Sequence, residues 1–122
     1  MDIAINHDSD TPIYRQIVEQ IGQQIIQNKI KANDILPSIR AIALDLKISV
    51  ITTKKAYEEL ETMGLIYTIS GKGCFVSEII HEKVISVRNE MALKKIRKDL
   101  EFYKSMGMGI DDIILMIQSL KE

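Results

Sequence analysis

Two clusters of side chains in this 122-residue chain are of types that could do chemistry, and that chemistry is contact with phosphates and base edges rather than bond making. The first lies within Leu36 to Tyr57 and holds Ser38 and Arg40, then Ser49, Val50, Ile51, Thr52, Thr53, Lys54 and Lys55. The second is the run Ser70-Gly71-Lys72-Gly73. Short hydroxyls and cations crowded into the first turns of a helix can approach a nucleic-acid groove. A basic turn flanked by glycines suits a phosphate or minor-groove contact, although such a turn is also common in its own right. Net charge does not decide the matter: it is −1, with a pI near 6.1, whereas phosphate binding needs only local positive charge. Arg40, Lys47, Lys54, Lys55 and Lys72 could share one face while Glu58, Glu59 and Glu61 sit elsewhere. The competing reading is that these charges are merely solvated, with Arg40 bridging to Asp45 or Glu61.

Bond-making chemistry has no support. The chain shows no paired nucleophile and base, no glycine-rich phosphate-cradling turn between strand and helix, and no cluster of metal ligands. His7 and His81 stand far apart, so no metal, cofactor or catalytic residue is expected. The lone Cys74 permits no internal disulfide and agrees with a reducing compartment. No long uncharged apolar run is present, and the start MDIAINHDSD is acidic and polar, unlike a secretory signal. A cytoplasmic protein is expected. Its hydrophobic content of 46% is enough for a core, which must be aliphatic because tryptophan is absent and only two phenylalanines occur.

The elements that must position the two clusters follow from periodicity. Asp2 to Asn6 alternates and could make a short strand. Thr11-Pro12 reads as a cap followed by proline at the first helical position, and Ile13, Ile17, Ile21, Ile25 and Ile26 trace a helical stripe. Arg15, Gln16, Glu19, Gln23, Gln24 and Gln27 fall on the wet side, and the helix ends near Asn28-Lys29. A polar connector holding the turn-prone pair Asn33-Asp34 follows. Ser38 opens a short helix with Ile39, Ile42, Ala43 and Leu46 on its buried face, and Ser49 opens the next in the same way. In that second helix Ile51, Ala56 and Leu60 can look inward, Tyr57 belongs to the core, and Gly64 suits the C-terminal end. The whole is a helix-turn-helix. From Leu65 the period changes to two, and LIYTI and CFVSE around the glycine-rich turn make a hairpin. Directly after a helix-turn-helix, a hairpin is a wing.

A second composition begins at Ile79. Val84, Val87, Met91, Leu93, Ile96, Leu100 and Tyr103 predict one long helix. Gly107 and Gly109 break it, Asp111 or Asp112 can cap a last helix, and Ile110, Ile113, Ile114, Ile117 and Leu120 give that helix an apolar side. Two helices make a poor free-standing core, so this helical hairpin is expected to pack against a second copy of the chain rather than back on its own N-terminal part. Met106, Met108 and Met116 suit a deformable, partner-facing surface or plain gap filling. The expected fold is therefore mainly α with a small β-hairpin wing. Residues 1–78 form a winged helix-turn-helix, and residues 79–122 form a helical dimerisation or effector region.

Thr11 to Val76 resembles the winged-helix domain of GntR-type bacterial transcription regulators, through PIYRQI, LPSIRAIA, KKAYEELETMGLI and SGKGCFV in that order. The short helical tail is similar to the YtrA subfamily, whose appendage is too small for the ligand-binding domains of larger relatives. The resemblance implies that Arg40, the arginine of the LPS-x-R motif, contacts operator DNA near phosphates or a guanine edge. It also implies that Thr52 starts the recognition helix, that Lys54 stands at an often basic position, and that Gly71 and Lys72 form the wing tip. Three positions depart from the family. Val50 replaces the usual arginine and cannot make a bidentate guanine contact, so Val50 or Ile51 could touch a thymine methyl instead. Asn33 replaces a glycine, and Cys74 replaces a threonine of the wing.

The candidate DNA-binding set is Ser38, Arg40, Ser49, Val50, Ile51, Thr52, Lys54, Lys55, Ser70, Gly71 and Lys72. The function expected is a homodimeric, sequence-specific repressor on an inverted-repeat operator, with transporter genes a target class the resemblance implies. Double-stranded DNA and a second copy are the expected partners; a small-molecule effector between the C-terminal helices and the winged domain is conceivable, although no residue pattern points to one. The alternative is a winged-helix protein-interaction module without specific DNA binding.

Overall fold

In the computed structural model the described residues are 1–79 and 81–121, His81 by its backbone alone. The elements are α1 (Ile13–Ile26), α2 (Ile39–Leu46), α3 (Val50–Thr62), β1 (Ile66–Ile69), β2 (Gly73–Val76), α4 (His81–Ser105) and α5 (Ile110–Ser119). Two compact units emerge, Met1–Ile85 and Ser86–Glu122. No described helix is long and apolar enough to cross a membrane.

In the first unit α1, α2 and α3 enclose Ile17, Val18, Ile21, Ile42, Ala56, Tyr57 and Leu60, and Leu65, Ile66 and Val76 add the inner side of the wing. Three helix ends use one device. An N–H just past the helix returns to the carbonyl five residues back, in Lys29 to Gln24, Ile48 to Ala43 and Leu65 to Leu60. Each end needs one left-handed residue: Asn28 (φ 59°), Lys47 (φ 56°) and Gly64 (φ 78°) supply it. Only the last is a glycine; asparagine tolerates this region, whereas Lys47 holds it at a cost of about 1 kcal/mol.

The start of the chain departs from expectation. Asp2 to Asn6 forms no strand, and its backbone is taken up by glutamine side chains of α1. Gln20 accepts from the Ala4 N–H at 2.8 Å and donates to the Ala4 carbonyl at 2.7 Å. Gln16 does the same for Asn6 at 2.8 and 2.9 Å and also reaches the Thr11 carbonyl, while Gln24 donates to Asp2. The fit has a geometric cause: every fourth helix residue advances roughly 6 Å, and every second extended residue roughly 6.6 Å. Gln16 is thereby buried, not on the wet side. Pro12, rather than Thr11, occupies the cap position of α1, and no side chain caps that end.

The wing is antiparallel, with Ile66 opposite Val76 and Ile69 opposite Gly73, and Tyr67 stacks on Phe75 with ring centroids 5.5 Å apart. The connector before α2 pairs with the other edge of β2: Asn33 N–H donates to Val76 O, Val76 N–H to Asp34 O, and Leu36 N–H to Cys74 O. Asn33 sits at φ 67°, the left-handed region that asparagine tolerates.

The long helix, whose residues from Ser86 belong to the second unit, and the last helix stand where periodicity puts them. Gly107, at φ 84°, allows the turn after α4, and Asp112 caps α5 by accepting the Gly109 N–H at 3.0 Å. Residues of α4 and α5 line a groove of about 410 Å³, among them Ile96, Leu100, Tyr103, Ile113 and Met116.

Candidate nucleic-acid interface

The interface region is built on two serine caps. Ser38 Oγ accepts from Ala41 N–H at 3.0 Å and Ser49 Oγ from Thr52 N–H at 3.0 Å, each satisfying a helix-start amide. Ser49 also donates to the Thr52 hydroxyl at 2.8 Å, which leaves the Thr52 proton available to another acceptor. Both serines therefore position their helices first and foremost. Tyr57 joins the two helices: its hydroxyl donates to the Pro37 carbonyl at 2.7 Å, and burial, followed by the nearby Cys74, pushes that hydroxyl above the ordinary phenol range.

Two side chains of α3 lie opposite to their expected sides. Thr53 is completely buried, with its hydroxyl donating to Ser49 O at 3.1 Å, while Ile51 is 81% exposed. The buried set Thr53, Ala56, Tyr57 and Leu60 has helical spacing that puts Ile51 on the opposite face, about 200° round the helix from Thr53, and a threonine at the head of that stripe is the available signal. Val50 and, on α2, Leu44 are exposed as well, and Leu44 lines a surface cleft with Arg40, Lys47 and Val50. Nothing in a periodicity reading singles out Leu44.

The cations divide. Arg40 and Lys72 are exposed and make no side-chain hydrogen bond or ion pair among the described residues, so the bridge from Arg40 to Asp45 or Glu61 does not form. Lys54 lies 3.9 Å from Glu58 on the same helix, so the acidic residues do not all sit elsewhere. Glu61 instead accepts from the Thr68 hydroxyl. Lys55 rests its ammonium 3.9 Å from the centre of the Tyr14 ring, and Arg15 pairs with Glu59 at 2.8 Å. Burial alone would lower the Arg15 guanidinium, but Tyr14 and Glu59 together raise it, and the pair fastens α3 to α1.

Ser70, Gly71 and Lys72 form the exposed wing tip, closed by Lys72 N–H donating to Ile69 O at 3.0 Å. Gly71 has φ 77° at the third position of this turn, the conformation a type II turn requires there. Cys74 is a half-buried strand residue, 3.4 Å from the Thr68 hydroxyl across the hairpin. Among the described residues no group of histidine, cysteine or acidic side chains could hold a metal; the His81 side chain lies outside them.

The sequence profile for bacterial regulatory proteins of the gntR family matches residues 13–76. The chain belongs to the GntR family. The matched span runs from the first residue of α1 to the last of β2, so it takes in all the elements that carry the interface. This GntR chain is 38% identical over 93 residues to the transcriptional repressor YtrA of Bacillus subtilis, covering 76% of the chain and 70% of that protein. A GntR family regulator from Listeria monocytogenes superposes with a TM-score of 0.69 at 29% identity, over 93% of this chain and 99% of that one. The DNA-binding domain of AraR, solved in complex with operator ORX1, covers 63% of this chain and 96% of its own, with a TM-score of 0.56 and 28% identity. The chain is a DNA-binding transcription regulator with a GntR-type winged helix, and its relatives are regulators rather than enzymes.

Proposed function

We propose that the chain acts as a homodimeric repressor on an inverted-repeat operator. Residues 1–78 read DNA, and residues 79–122 hold two copies together. The observation that carries the reading is the outward surface of the winged unit: Arg40 on α2 and Lys72 at the wing tip keep free charges, and the side chains of Val50, Ile51 and Leu44 face water. Each α3 enters a major groove and each wing tip meets the flanking backbone. The half-sites then lie one helical turn apart, about 34 to 36 Å, or a multiple of it. Ser38 and Ser49 serve by presenting helix starts, Thr52 and Lys54 by donating to phosphates or base edges, and Lys55 by leaving Tyr14 for a phosphate. Dimerisation is supported by the apolar residues that the second unit leaves exposed, Ile114, Leu115, Ile117 and Leu120 among them. Repression is supported by the likeness to YtrA. Transporter genes are the target class and the cytoplasm is the place of action, and any effector would act by changing the separation of the two recognition helices.

A fluorescence titration of the DNA upstream of its own gene, repeated across salt concentrations, tests this. Binding should weaken linearly in log salt, and Arg40→Ala and Lys72→Ala should each lower that slope by about one and cost ~1 kcal/mol or more. Salt-independent binding, or none there and in a random-site selection, refutes the proposal. Absence of DNA binding together with unchanged binding of a protein partner by the double variant would support a protein-interaction module instead.

A further inference from the structure

The first turn of α3 is unusual in what it lacks. At its outward side, Val50 and Ile51 have no hydrogen-bonding group and Thr52 has a single hydroxyl with one proton to donate, while Thr53 is buried. No side chain there can make the two-bond contact that identifies guanine or adenine. What stands there instead is aliphatic: Ile51 at 81% exposure and Val50 at 44%, with Leu44 at 82% on the neighbouring helix. Single exposed apolar residues are ordinary. Here Leu44 and Val50 line one cleft with Arg40 and Lys47, Ile51 follows Val50 on α3 and Lys54 stands one turn on, so exposed apolar side chains lie among cations. That charge pattern matches a polyanion with apolar groups on its floor, and in the major groove the one such group is the thymine 5-methyl.

We infer that this regulator selects its operator through thymine methyl groups, packed against Ile51 and Val50, with Arg40 supplying any contact to guanine. The inference rests on the DNA reading above and names what the recognition helix reads. It makes Ile51 and Val50 specificity-determining residues, and it predicts operator half-sites with thymine at the positions facing the start of α3.

The test first selects sites from random DNA with the full chain, then replaces each thymine of the selected half-site, one at a time, by deoxyuridine. That exchange deletes the methyl and leaves every hydrogen-bonding group in place. One or two positions per half-site should lose about fourfold in affinity, the worth of one buried methyl. At those positions Ile51→Ala or Val50→Ala should bind thymine and uracil alike. Both residues are exposed, so neither variant should alter the melting temperature. A flat deoxyuridine profile, or a loss that persists undiminished in both variants, overturns this inference alone. A selection that enriches no sequence overturns the operator reading and this inference with it.

Discussion

In the first compact unit Ile17, Ile21, Leu60 and Leu65 lose all contact with water, whereas in the second Ile114, Leu115, Ile117 and Leu120 stay exposed, the last at 79%. The side chains are of one kind, and what differs is how much chain surrounds them. Three helices and a hairpin can enclose an interior, while two helices can at most share a groove, and Val87 and Ile113 are the buried large residues described there. Hydrophobic surface left in water is a driving force waiting for a partner. The winged unit thus carries its stability within one chain, and the helical unit needs a second surface. That surface is another copy under the proposed function.

The largest effect should follow from spoiling that face. Ile117→Asp combined with Leu120→Asp should convert a dimer to a monomer by light scattering. Affinity for an inverted repeat should fall at least about 100-fold, because the second half-site no longer gains from tethering. The winged unit should melt as before. A dimer that survives both charges would place the contact elsewhere. A matched pair of smaller deletions comes next. Leu60→Ala should cost about 2–5 kcal/mol in urea unfolding at every protein concentration, because it opens a cavity in a closed core. Leu120→Ala should cost little in a dilute monomer, and its penalty should grow with protein concentration as the dimer populates. If both behave alike, the contrast between the units is wrong.

Much of this contrast is legible in the sequence, because it depends on spacing. The caps at Ser38 and Ser49, the turn at Gly64, the basic wing tip and the two C-terminal helices each announce themselves through a residue type at a fixed offset. What was not legible depends on polar groups that behave as core. Gln16 and Gln24 look like part of a wet helix face, yet their amides and that of Gln20 substitute for a neighbouring strand along the N-terminal residues. Thr53 reads as one of four polar residues at a helix start, yet its hydroxyl folds back on Ser49 O and its methyl joins the core. Once Thr53 turns inward, helix geometry alone forces Ile51 outward. The same applies to Lys55, whose cation–π contact with Tyr14 bridges elements 41 positions apart in a way that no local pattern encodes.

The closed unit also predicts a pH dependence. Tyr57 ties α3 to the residue preceding the Ser38 cap through its bond to Pro37, and its hydroxyl is held above the ordinary phenol value by burial. In the unfolded chain it loses its proton near pH ~10. Above that pH the unfolded state binds fewer protons than the folded one, so this contribution is complete below pH ~10 and is lost as pH rises beyond it. Tyr57→Phe leaves the Pro37 carbonyl without its donor and should cost about 1 kcal/mol at neutral pH. The variant has no phenol to ionise, so the stability gap between the two proteins, measured by urea unfolding at fixed concentration, should narrow between pH ~9 and ~11. A gap that stays constant across that range would mean the hydroxyl is as free to ionise in the folded chain as in the unfolded one, and that the winged core is wetter at the α2–α3 junction than its packing indicates.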